Sequence, residues 1–308
     1  MTQGLKTDKI GKIVLNYEFY SGTDEYSDGD AVENKILDIV KNQTGYEYVC
    51  DDYNIWAVMY HLSRQRENIA EPMLIGKEDS VLEVGAGMGA VTGAMARMAA
   101  QVDCIELSRR RSEINAWRHK NLDNIEIYVG NFQDIRLQKK YDVITLIGVL
   151  EYAQHYIKSE KPYEDFLKQL YGALKEGGRI YIAIENKLGM KYFAGYHEDH
   201  LGKAFAGIEG YKKEDMVATF SQSELNALLA GSGFTDVDYY YPFPDYKFPT
   251  VILCDENIKD ADIEFSEYTN YDLPVTHLFN QNKAFESLKG TDERKLFSNS
   301  FLIEAWKR

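Results

Sequence analysis

From residue 80 onward, short apolar runs alternate with helix-like segments, and this alternation constrains the fold more than any other feature of the chain. The runs are SVLEV (80–84), QVDCIEL (101–107), NIEIYV (124–129), YDVITLIG (141–148) and GRIYIAIE (178–185). Helix-like segments lie at 88–100, 109–120 and 163–175. Strands that alternate with helices at this pitch pair in parallel, because each helical crossover carries the chain back to the same end of the sheet. Leu174-Lys-Glu-Gly-Gly178 reads as a helix stop. Ser221-Gln-Ser-Glu224 is a capping-box signature that opens a helix to about Ala230. FTDVDYYY (234–241) and NSFLIEAWK (299–307) read as a sixth and a seventh strand, the last closing the sheet antiparallel. The expectation is an α/β fold with a seven-stranded, mostly parallel sheet and helices on both faces.

Two helices are expected before this region, one over Asp30–Lys41 and one over YNIWAVMYHLSRQRENIAEPM (53–73). The second places Trp56, Met59, Tyr60, Ser63 and Arg66–Glu67 at helical spacing. Residues 1–79 are therefore expected as an N-terminal helical extension or cap, and 80–308 as the main domain. Two long stretches, 186–220 after the fifth strand and 242–298 after the sixth, fall outside the alternating plan. Stretches of that length are commonly lids or small substrate-binding subdomains.

Charge narrows the partners. The formal net charge is −14, with 49 acidic against 35 basic residues. Proteins that grip a phosphate backbone use clustered Lys and Arg. The one tight basic cluster here, Arg109-Arg110-Arg111, opens a helix and reads as a solvated face, so nucleic acid is not the expected substrate. No apolar run approaches the ~20 residues that span a bilayer, and the N-terminus lacks the apolar core of a signal peptide. Cys50, Cys104 and Cys254 are far apart and form no CxxC pair, which indicates neither a disulfide framework nor a zinc site. A cytoplasmic location without membrane insertion is expected.

VLEVGAGMG (81–89) is the stretch that carries chemistry. Gly85, Gly87 and Gly89 stand where the first strand gives way to a helix, the place where open α/β sheets bind ligands. The run Gly85-Ala-Gly-Met-Gly89-Ala90 satisfies a loose dinucleotide pattern, which alone is weak. Glu106 at the end of the second strand suits a ribose hydroxyl, and Ser108-Arg109-Arg110 could receive a 2′-phosphate. Glu83 opposes that reading, because a carboxylate beside a buried pyrophosphate is repulsive. The same carboxylate favours a cationic ligand, and S-adenosylmethionine carries an ammonium and a sulfonium.

At these residues the chain resembles the class I S-adenosylmethionine (SAM)-dependent methyltransferases. The match comprises the acid-x-Gly-x-Gly-x-Gly loop from Glu83 to Gly89, Glu106 closing the second strand, Gly130-Asn131-Phe132-Gln133-Asp134 after the third, and Asp142 to Glu151 at the fourth. It covers roughly residues 75–240. It implies a Rossmann-like methyltransferase fold with SAM as cofactor and S-adenosylhomocysteine as product. The cofactor residues it implies are Glu83, Gly85, Ala86, Gly87, Gly89, Glu106, Leu107, Asn131, Phe132, Gly148 and Val149. Asn131 stands where many relatives carry Asp. Tyr60-His61-Leu62-Ser63 with Arg66-Glu67-Asn68, IENKLGMKYFAGYHEDHLGKAF (184–205) and YYYPFPDYKFPTV (239–251) resemble methyltransferases of bacterial surface-polysaccharide and glycan assembly. That narrower likeness implies a sugar or polyol hydroxyl as acceptor and a glycosyltransferase as partner.

A hydroxyl acceptor must lose a proton, so a base is required. Tyr196-His197-Glu198-Asp199-His200 supplies two histidines and two acids. His200 is favoured over His197 as base, with Glu198 and Asp199 beside it, and His155 is a further candidate. A polar surface loop is the bland alternative for each. Glu151, Asn186, Tyr192 and Tyr196 are candidate substrate contacts, although Glu151 also fits a helix N-terminal acid. Tyr60 and Arg66, with His61, are candidates to cover the methionine end of the cofactor. Tyr239–Tyr241, Tyr246 and Phe248 either line an acceptor groove or pack the core. No metal ligand is assigned, because the acidic ligands of magnesium-dependent sugar O-methyltransferases do not map cleanly onto this chain; a divalent metal is the less favoured alternative.

Four other functions are weighed. A natural-product or peptide methyltransferase shares the reaction but not the acceptor. A catalytically silent methyltransferase-fold partner of a glycosyltransferase would retain the fold alone. An NADP-dependent oxidoreductase is opposed by Glu83 and by the lack of a Tyr-x-x-x-Lys site. Amino methylation of nucleic-acid bases is opposed by Gly148-Val-Leu-Glu151, which replaces the Pro-Pro-aromatic turn such enzymes carry.

Overall fold

A computed structural model describes residues 6–24, 27–46, 55–136, 139–265 and 275–308. The chain separates into two compact units: residues up to Thr145 together with Ala173–Lys175, and Leu146–Gly172 together with Glu176–Arg308.

The first unit opens on a hairpin, β1 (Thr7–Ile10) and β2 (Ile13–Asn16), closed by Gly11 at φ 60°. Helix α1 (Asp30–Asn42) carries Asp30 and Glu33 in its first turn and Lys41 in its last, charges that complement the helix dipole. Helix α2 (Trp56–Leu62) stops at Ser63, whose backbone is extended; Ser63 Oγ then accepts the Gln65 N–H and starts a 3₁₀ helix over Arg64–Ala70. Strand β3 (Ser80–Val84), α3 (Thr92–Met98), β4 (Gln101–Glu106), α4 (Arg109–Arg118), β5 (Ile125–Val129) and β6 (Tyr141–Ile147) follow. Strands β3 and β4 pair in parallel, as do β4 and β5, and β5 and β2. Strands β3 and β4 are buried almost throughout, as expected for a parallel sheet covered on both faces. Ile36, Ile39, Val40, Val58, Leu62, Met88 and Ile114 form one buried cluster that ties α1 and α2 to the glycine loop through Met88.

The second unit begins within β6, after Thr145. It contains a 3₁₀ turn (Leu150–Tyr152), α5 (Ala153–Tyr156) and α6 (Pro162–Ala173, to Gly172). Strand β7 (Leu174–Glu185) is followed by α7 (Met190–Phe193), α8 (Ala206–Glu209), α9 (Gln222–Gly231), β8 (Thr235–Phe243) and β9 (Val251–Cys254). Helices α10 (Gln281–Ser287) and α11 (Glu293–Leu296) precede β10 (Ser300–Trp306). Strand β10 runs antiparallel to both β7 and β8, and β8 pairs antiparallel with β9. The capping box of α9 forms as expected: Ser221 Oγ accepts the Glu224 N–H and Glu224 accepts the Ser221 N–H.

Four expectations need correction. The described residues hold ten strands, not seven; β1, β2 and β9 are additional. The segment before residue 80 is not purely helical, because Thr7–Asn16 forms the hairpin; its four-residue strands are too short for periodicity to reveal, and only Gly11 marked the turn. The expected helix over 53–73 is broken at Ser63, and Tyr53 and Asn54 lie outside the described residues. The helix stop at Leu174–Gly178 is already strand: α6 ends at Ala173 and β7 starts at the next residue. Residues 266–274 of the stretch 242–298 also lie outside the described residues, as does Cys50.

Candidate active site

In the first unit the glycine loop is built from backbone outward. Gly85, Gly87 and Gly89 adopt φ of 74°, 54° and 76°, the left-handed region that a side chain opposes. The Gly85 and Ala86 N–H groups both donate to Ile105 O, at 2.8 and 3.1 Å. A Cβ at Gly89 would lie 2.3 Å from Asn115 Oδ1, so this glycine lets α4 approach. A Cβ at Gly87 would meet nothing within 4 Å, so this glycine faces open space. Arg118 on α4 donates to Met88 O at 3.0 Å, and the His119 ring lies 3.0 Å from Gly89 O. The loop is therefore clamped on one side and free on the other.

Two carboxylates border it. Glu83 is buried, and its Oε2 accepts from the Thr92 hydroxyl at 2.6 Å and the Cys104 thiol at 3.4 Å. Burial pushes its carboxyl up to about 7, against those hydrogen bonds. Glu106 Oε2 accepts from Gly87 N–H at 2.8 Å and its Oε1 from Ser108 N–H at 2.9 Å. Burial raises this carboxyl too, although Arg111 and the N–H donors oppose the rise. Of the remaining expected cofactor residues, Ala86 is buried, while Leu107, Asn131 and Phe132 are half-buried. Asn131 Oδ1 accepts the Gln133 N–H at 3.1 Å, which orders the turn. The Arg66 guanidinium lies 4.4 Å from the centre of the Tyr60 ring.

The expected solvated face at Arg109–Arg111 holds only in part. Arg111 is buried between Asp28 (2.7 Å) and Glu33 (3.1 Å), and His61 Nε2 meets the same Asp28 at 2.8 Å. Asp24 accepts from the Ser108 hydroxyl and from the Arg109 N–H, at 3.0 and 2.7 Å, at the start of α4. His61 is thus committed to an acid of the N-terminal segment. Sequence reading missed Asp24, Asp28 and Glu33, whose only signal was an acidic run with no periodicity of its own.

The second unit assembles Glu151, Glu185, Glu198 and His200. His200 Nδ1 lies 2.8 Å from Glu198 Oε1, and its Nε2 lies 3.7 Å from Glu151 Oε1. The Tyr152 ring packs edge-on against the imidazole at 5.2 Å. Glu198 also accepts from His200 N–H, Leu201 N–H and the Tyr211 hydroxyl. Burial would raise the Glu198 carboxyl, but His200 and these donors hold it below the usual range. Burial would lower the His200 pKa; the carboxylates of Glu151, Glu198 and Glu185 hold it well above the usual histidine range. Burial raises Glu151, and His200 opposes the rise.

A buried ion network adjoins this cluster. Lys247 Nζ contacts Glu185, Asp199 at 3.1 Å and Asp245 at 3.6 Å. Lys191 Nζ meets Asp199 at 2.8 Å and Asp245 at 3.6 Å, and the Tyr192 hydroxyl donates to Asp199 at 2.6 Å. Burial opposes the charges of Glu185 and Lys247, yet Lys247 holds the Glu185 carboxyl down, and Asp199, Asp245 and Glu185 hold the Lys247 ammonium up.

These contacts redistribute the expected roles. His200 and Glu198 come together with Glu151. Asp199 is held by two lysines and a tyrosine, so it anchors the loop. His155 is exposed, its ring packed edge-on against Tyr156 at 4.7 Å, outside the cluster. Asn186 is buried, and its carboxamide donates to Leu296 O and Ser298 O and accepts from Leu188 N–H, so its polar atoms serve the chain. Tyr196 is buried edge-on against His277. Gly148 has φ 68°, and a Cβ there would lie 2.7 Å from Tyr246 Oη, so this glycine makes room for Tyr246; Val149 beside it is half-buried. Tyr239 and Tyr241 pack on Phe301 in the core, as the packing alternative expected. Glu185 was missed although it closes the fifth strand as Glu106 closes the second, and Lys191 and Lys247 were missed because nothing in their local sequence separates them from surface charges.

The family model described as a methyltransferase domain, Methyltransf_23, matches residues 58–239. The chain is 31% identical over 108 residues to the mitochondrial ubiquinone biosynthesis O-methyltransferase of Schizosaccharomyces pombe, covering 33% of this chain and 36% of that protein. It is 27% identical over 134 residues to the ubiquinone biosynthesis O-methyltransferase of Pelagibacter ubique, covering 41% of this chain and 53% of that protein. The matches thus span about a third and about half of these relatives' lengths. In fold it is similar to phosphoethanolamine N-methyltransferase 1 of Haemonchus contortus, solved with phosphoethanolamine and S-adenosylhomocysteine. The TM-score is 0.50 at 13% identity, over 91% of this chain and 51% of that one.

Proposed function

The chain belongs to the methyltransferase-domain family, and from that premise we propose that it is a SAM-dependent methyltransferase acting on a hydroxyl of a small-molecule acceptor. The observation that carries the acceptor chemistry is the His200 imidazole, fixed by Glu198 at Nδ1 and turned at Nε2 toward buried Glu151. Such an acid–imidazole unit suits an acceptor that must lose a proton: the carboxylates around His200 favour its charged form, so the ring serves as base once its Nε2 proton has passed to Glu151, and His200 is the residue that activates the acceptor oxygen. Among the described residues no helix is long and apolar enough to cross a membrane.

The first unit fits the cofactor. The open side of Gly87 admits a ligand against backbone, and Glu106 keeps acceptor capacity on both oxygens for hydroxyl donors. Glu83 favours a positively charged ligand. When bound, SAM supplies a methyl group activated by its sulfonium. In this reading residues 80–308 form the methyltransferase domain, 1–79 a cap, and 186–220 and 242–298 the substrate-facing insertions.

The finer acceptor assignment is a sugar or polyol hydroxyl in surface-polysaccharide assembly, with a glycosyltransferase as partner and the cytoplasm as the compartment. Its support is the likeness of residues 184–205 and 239–251 to methyltransferases of that kind. Transfer of labelled methyl from SAM to a panel of sugars, nucleotide sugars, polyol phosphates, glycan fragments and peptides, with and without magnesium, tests it. Label on a carbohydrate oxygen is the expected result. Label on a peptide, or on no member of the panel, would sink the glycan assignment.

Glu83 yields a pH prediction. Its carboxyl titrates near 7, and a cationic ligand binds the ionised form better. SAM affinity should therefore rise from pH 6 to pH 8, by up to about tenfold if only the ionised form binds, and then level off. Calorimetric titration at pH 6, 7 and 8 reads this directly. Glu83→Gln should bind more weakly and with a flatter profile; a flat wild-type profile would remove Glu83 from the cofactor site.

A further inference from the structure

We propose that Glu151, Glu185 and His200 form a binding site for one divalent metal ion, which takes the acceptor oxygen as a further ligand. The proposal rests on the methyl-transfer reading above and specifies it: His200 serves the acceptor as a metal ligand through Nε2.

Three observations converge on these residues. One ligand atom from each lies within 4.8 Å of the other two. Glu151 and Glu185 are 1% and 0% exposed, and the Oε2 atom of each is buried without a hydrogen-bond partner. A buried carboxylate oxygen left in this way is costly, and a cation relieves the cost. Charge points the same way. Among the described residues, the two adjoining sets of ion pairs place the carboxylates of Glu151, Glu185, Glu198, Asp199 and Asp245 against Lys191, Lys247 and the His200 imidazole. Negative charge is left over even when the imidazole is protonated.

The outer contacts are those a metal site requires. Glu198 fixes the imidazole at Nδ1, so that an incoming cation that displaces the Nε2 proton meets the Nε2 lone pair, and Lys247 holds the Oε1 side of Glu185. Tyr211 and two backbone N–H groups in turn fix Glu198. Two carboxylates and one imidazole suit a cation of intermediate hardness, such as Mn²⁺. Three protein ligands leave positions open for a substrate oxygen, and a hydroxyl ligated there becomes more acidic.

The test is titration of Mn²⁺ into the full chain, followed by the electron paramagnetic resonance signal of the free ion. Wild type should bind one Mn²⁺ per chain. Glu151→Gln and Glu185→Gln should each weaken binding at least tenfold, with circular dichroism checking their folding. Should either variant fail to fold, pulsed resonance on the wild-type Mn²⁺ complex still decides, since it should detect nitrogen coupling from an imidazole. No Mn²⁺ binding by wild type at millimolar concentration, undiminished binding in folded variants, or no nitrogen coupling would each overturn the proposal. SAM titration on the same samples separates the two readings. Bound SAM without bound Mn²⁺ removes the metal site alone, whereas failure to bind SAM removes the methyltransferase reading beneath it.

Discussion

His200→Ala is expected to bind SAM with wild-type affinity and to lose methyl transfer by about two to four orders of magnitude, the usual range for removing a group that handles the reacting proton. The reason is the geometry of one ring. Its Nδ1 is 2.8 Å from Glu198 Oε1, so the ring cannot rotate without breaking a buried hydrogen bond. Its Nε2 is then the nitrogen left for the acceptor. Apart from Gly148 and Val149, every residue expected to hold the cofactor lies in the first unit, whereas His200 belongs to the second. The two readouts should therefore separate: kcat falls while calorimetric SAM affinity holds. Because the change leaves Glu151 and Glu198 without their imidazole, His200→Gln is the companion variant, and both should be shown folded by thermal melting. Turnover within twofold of wild type would return His200 to an ordinary loop residue.

Lys247→Met should cost about 3–5 kcal/mol of stability, the range for breaking a buried ion pair by removing one partner. Lys247 is buried, and its ammonium serves Glu185, Asp199 and Asp245 together. Without it, Lys191 alone neutralises Asp199 and Asp245, and Glu185 loses the cation that holds its carboxyl down. The pH dependence has a fixed sign. Glu185 and Asp199 are depressed in the folded state, so they contribute stability above their unfolded pKa values, and that contribution is lost as pH falls. The gap between wild type and variant should thus be full at pH 7 and narrow below about pH 4, as the carboxylates take up protons. Denaturant unfolding at pH 7 and pH 4 measures both. A difference below about 1 kcal/mol at pH 7 would mean that the site relaxes or admits water, in conflict with a tightly buried network.

How much of this was legible depended on whether the signal was local. The glycine loop was legible because left-handed backbone at Gly85, Gly87 and Gly89 needs glycine, and the requirement is written at those positions. The Ser221–Glu224 capping box was legible for the same reason, since its partners are three residues apart. The place of Glu106 at the end of the second strand was legible because the apolar run stops there. The hairpin at Thr7–Asn16 was not, because four-residue strands carry too little periodicity; β2 is stabilised by pairing with β5, more than a hundred residues away. The break at Ser63 hid inside an apolar pattern that continues through it.

The sequence by itself determined the strand–helix alternation, the glycine loop and the acid-histidine run at 197–200, since each is specified by neighbours along the chain. Only tertiary structure decided which charges serve the candidate site. Glu185 ends a strand, His200 lies in the insertion after it, and Lys247 lies beyond β8. Folding brings them into one buried network because a buried charge is tolerated only with its partners, and those partners come from distant segments. The same rule moved Asp199 from catalyst to anchor, separated His155 from the cluster, and buried Arg111 against Asp28 and Glu33, where the sequence alone read a solvated helix face.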